Sequence, residues 1–132
     1  MAGELKLLAE ATNQQLINDL ELEITKKTNH DIEFTALHNN RYVGSVSLYI
    51  PSEVDPSYDS YDENDDEWKI DLVEVVPAYR RNGIAAWLYD QVVNHFGFLP
   101  ETGSYLTTDG KNFRKKYIKD MKKRIRTDGF KF

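Results

Sequence analysis

The chain has 132 residues, 40% of them hydrophobic and 12% aromatic, enough for a single domain over 1–132 with a real core and too few for two. It has no cysteine, which excludes disulfides, thiolate metal sites and a cysteine-bound acyl intermediate and points to a reducing cytoplasm. The net charge of −5 divides unevenly: residues 1–110 hold 7 Lys and Arg against 20 Asp and Glu, whereas residues 111–132 hold 10 against 2.

The opening stretch, MAGELKLLAEATNQQL, lacks the basic start and apolar region of a signal peptide, and no run reaches the ~18 apolar residues that span a membrane. A cytoplasmic protein without a membrane partner is expected. Residues 9–18 read as a short helix capped at Thr12 or Asn13. From Leu20 the apolar period becomes two, in LELEIT, IEFTALH and YVGSVSLYI, separated by KKTNHD and NN. This pattern predicts three antiparallel strands, with Asn39 and Asn40 suited to the left-handed conformations of a tight hairpin. Residues 53–67, EVDPSYDSYDENDDE, carry eight acids and no base, a composition that predicts a mobile loop. WKIDLVEVV is a fourth strand, ended by Pro77, which has no N–H to continue the ladder. Ile84, Leu88, Val92 and Phe96 then recur at helical spacing, with Gly97 as the stop. SYLTT reads as a short fifth strand, and NFRKKYIKDMKKRI as a helix with Phe113, Tyr117, Met121 and Ile125 on one stripe. His30, His38 and His95 have no ligand spacing, and no metal site is expected.

The segment between the fourth strand and the first long helix carries the chemistry. A strand that stops at a proline, followed by a short glycine-containing loop, presents unpaired N–H groups at a helix start, and such a start binds anions. Arg80 and Arg81, just before it, add guanidinium charge and directed hydrogen bonds suited to a pyrophosphate. The glycine is expected to let a phosphate approach the backbone closely.

At these residues the sequence resembles the GNAT N-acetyltransferases. The run Val75-Val76-Pro77-Ala78-Tyr79-Arg80-Arg81-Asn82-Gly83-Ile84-Ala85-Ala86-Trp87-Leu88 is similar to that family's acyl-CoA motif, whose Arg/Gln-x-x-Gly-x-Gly/Ala core is met by Arg80, Gly83 and Ala85. The resemblance covers residues 20–126 and implies an α/β fold with a mixed, mostly antiparallel sheet, a motif helix and a C-terminal helix. It implies acetyl-CoA as co-substrate. The backbone of Leu72, Val73 and Val75 would hold the pantetheine arm, and the amides from Arg80 through Arg81, Asn82, Gly83 and Ile84 to Ala85 the pyrophosphate. On the last helix Tyr117 matches the tyrosine that protonates the leaving thiolate, although Asn112 lies five residues before it where the family has seven. The N-terminal helical region and closing strands of the family are reduced, which implies a reduced acceptor side.

An amine of pKa ~10.4 must lose a proton before attack. Glu74, on the strand beside the thioester, is the candidate acceptor; Asp71 is the alternative, and strict alternation puts it on the opposite face. Either also reads as an ordinary surface carboxylate, and Tyr117 as a core ring. The expected function is acetyl transfer to an amine, with the acidic loop favouring a cationic acceptor such as a protein lysine or a polyamine. The alternative is a non-catalytic protein of the same fold that binds a macromolecule through its acidic loop or basic tail, the latter being the route to any nucleic-acid contact.

Overall fold

The structure is a computed structural model and describes residues 14–103 and 107–128, with side chains as far as Arg124. Four strands, β1 (Glu21–Thr28), β2 (Asp31–His38), β3 (Arg41–Tyr49) and β4 (Lys69–Val75), form an antiparallel sheet in sequence order. Asn39 and Asn40 turn between β2 and β3 at φ of 53° and 64°, as their side chains permit. The β1–β2 connection is tighter than KKTNHD suggests, because Lys26 and Thr28 pair with Ile32 and Asp31, leaving Asn29 and His30 as the turn. The Thr28 hydroxyl closes it by accepting the His30 N–H at 3.2 Å and donating to Asp31 at 3.1 Å.

Alternation sends Ile32, Phe34 and Ala36 of β2 and Val46 and Leu48 of β3 to one face, where all are buried. Helix α1 (Ile84–Phe96) lies over them and meets the sheet with Ile84, Leu88 and Val92, each at most 1% exposed. Such side chains contribute roughly 1.5–3 kcal/mol each on burial. Gly97 ends α1 in the left-handed region, φ 81°, its N–H bonded to the Val93 carbonyl at 2.7 Å, as expected of a glycine stop. Helix α2 (Thr108–Asp128) docks on α1 through Phe113 and Tyr117, whose rings meet the buried Tyr89 edge-on at 5.0 Å. Met121 packs beside them; the side chain of Ile125 lies outside the described residues. Among the described residues no helix is long and apolar enough to cross a membrane.

Two expected elements lie partly outside the described residues. Residues 14–18 are helical, but the proposed caps Thr12 and Asn13 lie outside the described residues. SYLTT also lies partly outside them, at 104–106; Thr108 opens α2, and the Thr107 hydroxyl caps it by accepting the Gly110 N–H at 3.1 Å. Pairing on that side of β4 comes earlier, in a parallel bridge between Ile70 and Thr102. The acidic segment, expected as a mobile loop, is a loop with hydrogen bonds of its own. Ser52 and Asp65 are joined by a backbone bond of 2.9 Å, and Asp62 and Pro51 by one of 3.2 Å. The carboxylates of Asp55, Asp62 and Asp65 each accept the N–H two residues on, so three of the acids serve as turn formers.

Candidate active site

β4 is shaped by two irregularities. Opposite it, Gly44 is required for close approach, since a Cβ there would lie 2.8 Å from the Glu74 carbonyl oxygen. Next, Ser47 pairs with Leu72 while Leu48 pairs with Ile70, so Asp71 is an extra residue on β4. That is a β-bulge. Ile70 turns its N–H and carbonyl away from β3, toward Glu101 at 2.8 Å and Gly103 at 2.9 Å. Beyond the bulge the phase shifts, and Val73 and Val75 turn outward instead, while Val76 returns its N–H to Val43 at 2.9 Å. The Thr102 bridge is the last pairing on this edge among the described residues. The outward groups of Val73 and Val75 therefore face a cleft.

At the end of β4, Pro77–Tyr79 form one 3₁₀ turn, followed by Arg80 in extended conformation. Arg81 and Gly83 are both left-handed, at φ of 66° and 85°. The Asn82 side-chain amide donates to the Tyr79 and Arg80 carbonyls at 3.0 and 3.2 Å, which holds those acceptors inward. Gly83 is the N-cap of α1 and supplies no side-chain cap, so the N–H groups of the first turn are free to meet an anion. The glycine is needed for its conformation. A Cβ at Gly83 would meet only Ile17 among the described residues, at 3.8 Å, so within the chain it is the positive φ that disfavours an L side chain, and the space beside it stays open. Arg80 donates from Nε to the Val75 carbonyl at 3.1 Å, fixing its guanidinium at the mouth of the cleft.

The other wall is α2. Tyr117 is 5% exposed, and its hydroxyl donates to Asp90 Oδ1 at 2.5 Å; Arg124 donates to the same oxygen at 3.2 Å. Burial, then the Asp90 hydrogen bond and charge, push the Tyr117 phenol well above its ordinary pKa. The proton is held firmly. Tyr117 is thus a hydrogen-bond donor whose hydrogen must leave Asp90 to reach any other group.

β4, the loop, α1 and α2 enclose a cleft of about 1240 Å³ that joins the α1 N-terminus to Tyr117. The family model described as Acetyltransferase (GNAT) family matches residues 5–114. The chain belongs to the GNAT acetyltransferase family. No curated protein matches it. Among solved structures, an aminoglycoside acetyltransferase from an uncultured soil metagenomic sample, in complex with sisomicin, is similar at 21% identity and a TM-score of 0.46. The match covers 69% of this chain and 59% of that one, so this GNAT chain spans less than two thirds of that protein's length.

Of the residues expected at the GNAT site, Val73, Glu74, Val75, Arg80, Arg81, Gly83, Ile84, Ala85 and Tyr117 line the cleft. Two do not. Leu72 pairs inward with Ser47 and exposes its side chain, 48% accessible, on the sheet face away from α1; the side chain of Asn82 is spent on the loop carbonyls. A third correction concerns Asp71. The bulge breaks the alternation that put it opposite Glu74. The bulge sets Asp71 beside Leu72 opposite Ser47, on the outer face shared by Leu72 and Glu74; there burial and the Asp31 charge raise its pKa, and its charge raises that of Tyr49. Asp90, Lys116 and Arg124 were not anticipated. Asp90 lies one turn beyond Ala86 on α1, and Lys116 and Arg124 flank Tyr117 on α2, but only the packing of the two helices brings them together.

Proposed function

We propose that this GNAT chain is an enzyme that transfers acetyl from acetyl-CoA directly to an amine, and that the acceptor is cationic, a protein lysine or a polyamine. One observation carries the reading: the uncapped first turn of α1, with Arg80 and Arg81 beside it, is continuous through one cleft with the outward edge of β4 and with Tyr117. The fit to the co-substrate is chemical. Free N–H donors and two guanidinium groups suit a pyrophosphate, and the outward N–H and carbonyl of Val73 and the outward N–H of Val75 suit the amides of a pantetheine arm. When bound, acetyl-CoA supplies an activated acetyl group.

In the reaction the amine nitrogen bonds the acetyl carbon, the carbon–sulfur bond breaks, the amine loses one proton, and the sulfur leaves as a thiolate that takes its proton from solvent after release. Glu74 is our proposed proton acceptor, directly or through water, with Asp71 now on the same face as its alternative. A carboxylate binds the ammonium well and deprotonates it weakly, so this role is one of relay. Tyr117 donates a hydrogen bond to the departing thiolate, whose ordinary pKa of ~8.5 lies far below that of the phenol. The charge is stabilised without full proton transfer. Calorimetry with acetyl-CoA, followed by turnover against a panel of amines and lysine peptides, tests the reading: saturable binding and amine-dependent release of CoA are expected. Binding without turnover on any amine assigns the chain a non-catalytic role, and absence of binding removes the proposal.

A further inference from the structure

A second cavity, of about 540 Å³, lies at the other end of β4, between the acidic segment, Lys69, Thr102 and Gly103. Tyr49 forms part of its wall. That residue is 7% exposed, yet its hydroxyl has no hydrogen-bond partner among the described residues. A Cβ at Gly103 would collide with the hydroxyl, so the phenol oxygen sits at the cavity's inner wall, in space that only a glycine leaves open. Burial and the charges of Asp71 and Asp65 raise its pKa, which keeps it a neutral donor and acceptor.

Asp59, Asp62, Glu63 and Asp65 line the same cavity, against one ammonium, Lys69, paired with Asp65 at 3.3 Å and Glu101 at 3.8 Å. Asp59 and Glu63 make no ion pair or side-chain hydrogen bond among the described residues. The acids are spread out. Among the described residues no three converge as metal ligands would, so the charge suits an elongated organic cation better than a single ion. The volume is of small-molecule scale. From Lys69 to the bulge at Asp71 and Leu72 is two to three residues, about 7–10 Å at ~3.3 Å per residue, a distance that a short methylene chain between two ammonium groups spans.

We propose that this cavity is an anchoring subsite for the non-reacting ammonium groups of a small polyamine, held by the Tyr49 hydroxyl and the Asp59 and Glu63 carboxylates while the reacting amine extends to Asp71 at the bulge. The inference rests on the amine-transfer reading above and narrows its acceptor. Tyr49 is then a specificity-determining residue, since its buried hydroxyl is a polar group that an ammonium meets beyond the rim of carboxylates. A single lysine side chain brings one ammonium and leaves the others of the rim unanswered.

The test is calorimetric titration of the full chain with spermidine, in the absence of acetyl-CoA and at physiological salt. One-to-one binding is expected, weakened roughly ten-fold or more in Tyr49→Phe, the scale of a lost hydrogen bond to a charged group. A double variant, Asp59→Asn with Glu63→Gln, changes two exposed side chains and carries the same expectation where Tyr49→Phe fails to fold. A lysine peptide of equal net charge is expected to bind more weakly. Equal affinity for the peptide, or unchanged spermidine affinity in both variants, overturns the subsite. Acetyl-CoA is titrated separately: if it binds and spermidine does not, the subsite falls and amine transfer stands. If spermidine binds and acetyl-CoA does not, the cation site stands and the transferase reading falls.

Discussion

Asp90→Asn isolates the coupling on which the proposed role of Tyr117 depends. The Tyr117 hydroxyl donates to Asp90 at 2.5 Å, and Arg124 shares that oxygen at 3.2 Å. An asparagine oxygen still accepts the phenol hydrogen, so packing is kept and only the charge is lost. A hydrogen bond to a charged acceptor contributes about 1.5–3 kcal/mol, and one to a neutral acceptor about 0.5–1.5. The difference, about 1–1.5 kcal/mol, equals roughly one pKa unit at 1.36 kcal/mol per unit. The Tyr117 pKa is therefore expected to fall by about one unit, with burial, the larger cause, still holding it above the ordinary tyrosine value. Phenolate absorbance against pH measures this, with Asp90→Asn compared with the same variant carrying Tyr117→Phe. In turnover, Tyr117→Phe is expected to lose ~10- to 1,000-fold in kcat with acetyl-CoA affinity retained. Asp90→Asn, with a stronger acid at Tyr117, keeps kcat or raises it. An unchanged alkaline titration, or equal losses of kcat in the two variants, refutes the argument that the phenol itself meets the leaving sulfur.

Replacing Gly83 by Val is expected to weaken acetyl-CoA and to cost about 1–2 kcal/mol of stability from its left-handed φ; Arg80→Ala weakens acetyl-CoA by roughly 1–3 kcal/mol at little cost in stability. Calorimetry and denaturant melts separate the two, and equal binding by both variants and the unmodified chain rejects the loop assignment. Gly44→Ala drives a methyl against the Glu74 carbonyl, and a lowered denaturation midpoint of the whole sheet is expected, in place of a local loss of binding. Tyr49, Tyr89 and Tyr117 have folded pKa values raised by burial. Their stability contribution is whole below the unfolded tyrosine value of ~10 and falls as pH rises beyond it; denaturant titrations that show no steepening loss above pH 10 contradict this.

The strands, both helices and the loop were legible because their signals are local. Period two in β2 and β3, the glycines at 83 and 97 and the Asn39-Asn40 turn each act within a few residues. What stayed hidden depends on pairing. Nothing in WKIDLVEVV announces the extra residue at Asp71, since a bulge is defined by the partner strand, and so strict alternation assigned Asp71 to the wrong face. Asp90 was passed over for the same reason: on α1 alone it is an acid on a helix face, and only Tyr117 and Arg124, 27 and 34 residues on, make it part of a site. Composition gave the acidic segment as a loop but not its turns: three of its eight acids, Asp55, Asp62 and Asp65, each accept the N–H two residues on.

The bulge explains why one strand can serve both cavities. Without it, Ile70 and Leu72 would share a phase, the outward groups of β4 would be those of Leu72 and Glu74, and Val73 would have its side chain on the face away from α1. With it, Ile70 and Val73 both pack toward the core, their backbone groups both turn away from β3, and Asp71 and Glu74 fall on the outer face together. Asp71 carries a penalty for this, because burial and the Asp31 charge raise its pKa. A raised folded value means that stability is whole below the unfolded carboxylate value of ~3.9 and is diminished above it. Asp71→Asn is therefore expected to raise the urea midpoint at neutral pH and to leave it unchanged near pH 3. If the bulge carboxylate serves the incoming amine, the same variant raises KM for the acceptor. A variant that gains stability with no change in acceptor kinetics removes Asp71 from the site and leaves Glu74 as the carboxylate at the edge of the cleft.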